Sequence, residues 1–129
     1  MAASGNQVKT TPPETFVSDG AIGAYRIVKF GAEDGTAAIA SAATAPLLGV
    51  SGEVGVDAAE KRIDVHTSGG QRVYYGGTVT RGDDLTSDAN GAAVVTTTAG
   101  NHIVGRARIS GVAGDLGTVE IRPCVRGGA

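Results

Sequence analysis

Gly77-Thr78-Val79-Thr80-Arg81-Gly82-Asp83-Asp84-Leu85-Thr86-Ser87-Asp88-Ala89-Asn90-Gly91-Ala92-Ala93-Val94 is the stretch on which the fold turns. Val and Thr suit a pleated surface, and Gly supplies backbone conformations with positive φ at the corners, so the segment reads as short strands joined by tight turns. Asn90-Gly91 favours a primed turn, which makes Leu85 and Val94 the expected flanks of a hairpin with their side chains toward a core.

The same grammar continues on both sides. Upstream, Arg62-Ile63-Asp64-Val65-His66-Thr67 alternates strictly, with Ile63 and Val65 inward and Asp64 and His66 outward, as a half-buried strand requires. Ser68-Gly69-Gly70 reads as the turn of a second hairpin with Gln71 to Tyr75 as its other strand. Tyr25 to Phe30 is apolar on both faces, and Leu47-Leu48-Gly49-Val50 reads as a buried strand. Thr36 to Ala40 suits a short strand, and Ala42 to Ala45 suits equally one helical turn before Pro46 stops it; the pattern leaves the two open. Downstream, Ile103, Gly105, Ala107 and Ile109 alternate with His102, Arg106 and Arg108, and Thr118 to Arg122 forms a last strand with Val119 and Ile121 inward. Strands at intervals of roughly 8–12 residues, about seven to nine in all, define an all-β chain: a compact barrel or a small sandwich.

Composition agrees and excludes several functions. The 129 residues include 21 Gly, no Trp and only 4% aromatic residues, and the length suits one domain. A formal net charge of -2 supplies no basic field, so neither DNA nor RNA is an expected partner. The lone Cys124 has no partner for a disulfide, which points to folding in a reducing cytoplasm. Met1 to Gln7 lacks the basic and apolar regions of a signal peptide, and no apolar run approaches the ~18 residues of a membrane span, so the expectation is a soluble protein with no membrane partner.

Residues 1–15 stand apart. They carry Pro12-Pro13 and one large aliphatic residue, Val8, too little apolar surface to offset the entropy of ordering. The expectation is an extended amino-terminal arm, disordered alone, followed by a β-domain over residues 16–129. Val8, Lys9, Thr10, Thr11, Pro12, Pro13 and Phe16 are its candidate contact residues.

Other candidate sites resolve into turn chemistry. Asp83, Asp84, Asp88 and Asn90 suggest calcium, but setting Gly91 as the sharp-turn glycine of an EF-hand loop puts Thr86 and Thr97 where carboxylate ligands are needed. Arg81-Gly82-Asp83 spells an integrin tripeptide, a string that arises easily in a glycine-rich chain. His66, His102 and Cys124 lack the short spacing of zinc ligands, and neither a Gly-x-Ser-x-Gly elbow nor a phosphate loop is present, so no catalytic residue, metal or cofactor is expected. Arg106, Arg108 and Arg122 fall on neighbouring outward positions around Glu120, a candidate polar contact patch for an acidic protein surface.

The pattern Gly77-x-Val79-x-x-Gly82-Asp83-x-Leu85-x-x-Asp88-x-x-Gly91-x-x-Val94, followed by Ile103-Val104-Gly105-Arg106-Ala107 and Gly114-Asp115-Leu116-Gly117-x-Val119-x-Ile121, resembles the capsid decoration or cement proteins of tailed phages. Pro46-Leu47-Leu48-Gly49-Val50 extends the likeness, which spans about Ala21 to Arg122. The resemblance implies a β-barrel or β-tulip that docks on the exterior of the assembled head where major capsid subunits meet, most often as a homotrimer and sometimes as a dimer, after synthesis in the host cytoplasm. It implies no catalytic residues. A carrier barrel of lipoyl type is the alternative, and it requires a lysine at a hairpin tip between apolar residues, a setting that Lys29 and Lys61 lack.

Overall fold

A computed structural model describes residues 12–127. Those residues form ten strands and no helix: β1 Glu14–Ser18, β2 Ile27–Phe30, β3 Thr36–Ile39, β4 Leu47–Ser51, β5 Arg62–His66, β6 Gly69–Tyr74, β7 Asp84–Ser87, β8 Ala93–Val95, β9 His102–Ala107 and β10 Leu116–Val125. The first five close into a barrel in the order β1-β3-β2-β4-β5, and the last five form a sheet in the order β6-β10-β9-β7-β8. That sheet curls until Tyr75, just past β6, bridges Ala93 of β8, so its two outer strands nearly meet. Curling of this kind removes unpaired backbone edges, which a short-stranded protein otherwise leaves open to aggregation.

Two cores follow from this layout. Inside the barrel, Ile22, Val28, Ala37, Leu48, Ile63 and Val65 pack together with half-buried Phe16 and Ile39. Between barrel and sheet, Ile27, Leu47 and Val50 meet Val73, Tyr75, Leu85, Val104, Val119 and Ile121. Strand β4 serves both cores. A register shift against β2 breaks its alternation, so Leu47 and Val50 face the sheet while Leu48 faces the barrel interior, and all five of its residues are buried. Burial on both faces is what its uninterrupted apolar run expresses.

The all-β reading and most of the expected strands stand, and Thr36–Ile39 is a strand with no helical turn after it. Three expectations change. The arm ends earlier than residue 15: Glu14 and Thr15 already belong to β1, paired with Val65 and Asp64 of β5, and the hydroxyl of Thr67 donates to the Glu14 carboxylate at 2.7 Å. This strand is the tenth, beyond the nine that the sequence suggests. Next, β5 and β6 are not a hairpin. Strand β5 pairs with β1 and β4 and β6 pairs with β10, so Ser68-Gly69-Gly70 carries the chain from the barrel into the other sheet. Finally, the β7–β8 hairpin exists with Leu85 fully buried and Val94 half-buried, but its turn is not a primed one. Among the described non-glycine residues only Tyr25 and Glu60 have positive φ, so Asn90 is not left-handed; within the loop Gly91 is, at +77°. The Gly91 N–H donates to Asp88 O, and the Asp88 carboxylate accepts from the N–H groups of Asn90 and Ala92 at 2.8 and 2.9 Å. This is a type I turn closed by a left-handed glycine, the three-residue form of hairpin loop.

Candidate interaction surface

The outward face of the β6-β10-β9-β7 sheet carries most of the chemistry. Alternation puts Arg72 and Tyr74 of β6 outward, opposite Thr118 and Leu116 of β10; Glu120 then faces Arg106 of β9, and Arg106 faces Asp84 of β7. The three arginines expected to form a basic patch are brought together here, but two of them are neutralised. Arg108 lies 3.4 Å from Glu120, and Arg106 lies 3.6 Å from Asp84, a carboxylate that also receives a short contact from Arg126. Among the described residues, Arg122 alone of the three forms no ion pair. A half-exposed pair such as Arg108 with Glu120 contributes only about 0–1 kcal/mol, so this network sets the charge pattern of the face more than its stability.

A groove of about 570 Å³ opens in the same face, lined by Ile103, Arg106, Glu120, Arg122, Cys124 and Arg126 among others. It lies where the β9–β10 register slips between Ile121 and Cys124. Pro123 causes no conflict there, because a bulge does not need the N–H that proline lacks. Cys124 is exposed.

A second cluster, which sequence reading missed, stands at the seam between barrel and sheet. The Tyr25 ring meets the Tyr74 ring edge to face with centroids 6.2 Å apart, and the Arg26 guanidinium lies 4.9 Å above the Tyr74 ring. Tyr25 holds φ at +57°, a left-handed backbone that costs an ordinary side chain about 1–2 kcal/mol. Three hydrogen bonds maintain it: Tyr25 N–H donates to Gly52 O, Tyr74 N–H donates to Tyr25 O, and Arg26 N–H donates to the Ser51 hydroxyl. Tyr25 and Tyr74 are far apart in sequence and no motif links them. The only available signal is that these are two of three tyrosines in a chain poor in aromatic residues.

The third, Tyr75, is structural. It is 1% exposed, its ring covers Gly111 and Gly117, and its hydroxyl donates to Ile109 O at 2.6 Å with Thr118 O at 3.4 Å. Burial pushes its phenol above the ordinary tyrosine range; a backbone hydrogen bond at Thr118 opposes this and the charge of Asp115 adds to it.

The candidate arm residues divide. Val8, Lys9, Thr10 and Thr11 lie outside the described residues, and Pro12 and Pro13 are exposed ahead of β1. Phe16 belongs to β1, where it sits opposite Ile63 and packs, half-buried, on the barrel core. The Arg81-Gly82-Asp83 segment is a turn in which the Asp83 carboxylate accepts from Thr80 N–H at 2.9 Å, and Gly82 has φ of +91°. Asp88 is occupied by its own loop, and no three His, Cys, Asp or Glu side chains among the described residues converge on a metal-sized site. Lys29 lies within β2 and Lys61 directly precedes β5, so neither stands at the tip of a tight hairpin.

No protein-family model matches this sequence, and no curated protein matches it. Among solved structures, the head fiber gp8.5 N base of bacteriophage phi29 superposes with a TM-score of 0.67 at 23% identity, over 84% of this chain and 92% of that one. The chain therefore shares its fold with the base of a phage head fiber.

Proposed function

We propose that this chain is a structural protein of a tailed-phage head, a decoration or cement protein that binds the outer surface of the assembled shell where major capsid subunits meet and stabilises it. The observation that carries this reading is the backbone agreement with a phage head fiber base over 92% of that chain. The motifs from Gly77 to Ile121 that resemble decoration proteins make up most of the second sheet, so two independent likenesses favour one class of particle. The physical build suits the task. A closed barrel locked to a curled sheet is stiff, and a stiff unit loses little entropy when many weak contacts are multiplied by shell symmetry. The role is adhesive and involves no catalysis, the assembled form is a homotrimer with a dimer as the other arrangement, and its place is the virion exterior after assembly in the host cytoplasm. Residues preceding β1 supply part of the grip on the capsid.

Co-sedimentation with purified heads of the cognate phage tests this, using the full chain and a variant lacking residues 1–13, a cut that stops short of β1. The expected result is saturable pelleting of the full chain and weak pelleting of a truncated protein that still unfolds cooperatively. Failure of the full chain to bind would overturn the function; undiminished binding by the truncated protein would overturn the part assigned to its amino terminus.

A further inference from the structure

We propose that the seam cluster of Tyr25, Arg26, Arg72, Tyr74 and Leu116 is a docking surface for an acidic segment of another protein. This rests on the adhesive reading above and names the face that does the adhering. Three observations converge. The first is charge: Arg26 and Arg72 form no ion pair among the described residues, whereas Arg106, Arg108 and Arg126 on the neighbouring part of the sheet are each held by a carboxylate. Arg122 leaves unpaired charge at the β9–β10 groove as well, but at the seam two unpaired arginines accompany the Tyr25 and Tyr74 rings, and a partner offering carboxylates gains there without first breaking an internal pair.

The second is composition. Tyr25, Tyr74 and Arg26 are the residue types that dominate binding hot spots, and Leu116, 40% exposed and directly opposite Tyr74, adds an apolar floor. The third is preorganisation. The Arg26 guanidinium is already stacked on Tyr74, and the left-handed Tyr25 backbone is fixed by hydrogen bonds to Gly52, just past β4, and to Tyr74 of β6. Strained backbone of this kind persists where surrounding structure over-determines it, which is a recurrent property of binding sites. A planar guanidinium held on an aromatic face presents its free edge to a carboxylate with little ordering left to do. A second copy of this chain, or a single-stranded nucleic acid stacking on the tyrosines, are the other occupants the chemistry admits. The overall charge of -2 opposes the nucleic acid at long range.

The test uses the full chain, isotope-labelled for amide NMR, titrated at low salt with a synthetic ten-residue peptide of alternating Glu and Leu. Expected are shift changes centred on residues 24–26, 72–74 and 116, and affinity reduced about tenfold or more by Arg26→Glu with Arg72→Glu. Arg72→Glu alone, which leaves the Arg26–Tyr74 stack in place, keeps the test valid if the double variant unfolds. The proposal is overturned if the peptide perturbs the groove around Arg122 and Arg126 instead, if Arg72→Glu binds it as well as the parent, if a Lys-Leu peptide binds equally, or if an oligo-dT strand displaces the peptide. Self-association that R72E abolishes would assign the surface to a second copy and likewise overturn it. Heads that bind the parent and R72E equally refute this surface. Heads that bind neither, with peptide binding retained at the seam, refute the capsid reading and leave the surface standing.

Discussion

Gly35 and Gly91 share a backbone φ of +77° in opposite surroundings, and replacing each with alanine separates two energies. A Cβ at Gly35 meets nothing within 4 Å, whereas at Gly91 it would stand 2.9 Å from Ile39 Cγ1 and 3.2 Å from Ile27 O. Left-handed backbone costs alanine about 1–2 kcal/mol, offset in part by about 0.4–1 kcal/mol from the stiffer unfolded chain. Gly35→Ala should therefore destabilise by about 1 kcal/mol. Gly91→Ala carries the same cost plus overpacking of about 1–3 kcal/mol, for a total of about 2–4 kcal/mol. The neighbour decides the size. Ile39 can shift, but Ile27 O is backbone and accepts from Ala40 N–H at 3.0 Å, while Ile27 N–H donates to Gly91 O at 2.8 Å. The hairpin tip must back away from the barrel and stretch the bond that anchors it. Urea unfolding of the parent and both variants reads the difference, and the combination of G91A with Ile39→Ala should recover at least about 0.5 kcal/mol relative to additivity. Equal costs for G35A and G91A, or strict additivity with I39A, would refute the idea that the β7–β8 turn is keyed into the barrel.

Tyr75→Phe removes the hydroxyl that donates to the part-buried Ile109 O, so it should cost about 1–3 kcal/mol by urea unfolding; a loss below about 0.5 kcal/mol contradicts the assignment. The same residue sets an alkaline limit. Its folded pKa lies above the unfolded value of about 10, so its contribution is intact below pH ~10 and falls by about 1.4 kcal/mol per pH unit above it, until the folded phenol also ionises. Unfolding midpoints between pH 8 and 11.5 should show that slope in the parent and lack it in Tyr75→Phe. Asp88→Ala leaves the N–H groups of Asn90 and Ala92 without their acceptor and should cost about 1–2 kcal/mol, read by thermal unfolding.

Local pattern carried most of the fold. The alternation of Ile63 and Val65 reappears as buried positions of β5, and the run Leu47 to Val50 as the fully buried β4. Pairing was less legible because the partners are distant in sequence. Strand β6 begins with two glycines, which suggests a hairpin with β5, yet its partner is β10, whose Ile121 pairs with Gly69. A turn signal specifies a change of direction, and only burial of Val73 and Val119 in a shared core selects the sheet. Strand β1 was hidden by the Pro12-Pro13 pair and by a single large apolar side chain pointing inward, Phe16, and its pairing depends on the edge that β5 offers. At the surface, the outward Arg106 of β9 and Arg108 just past it were readable from alternation, but their neutralisation by Asp84 and Glu120 was only half visible, since Asp84 arrives from another strand. The Tyr25–Arg26–Tyr74 cluster was out of reach, because it is created by the seam between two sheets.

Cryogenic electron imaging of purified heads, with this chain supplied and withheld, bears most directly on the proposal that it is a capsid-bound head protein. The account predicts added density on the outer surface at the junctions of major capsid subunits, into which the barrel and curled sheet fit as a rigid unit. Heads indistinguishable with and without the chain would contradict it.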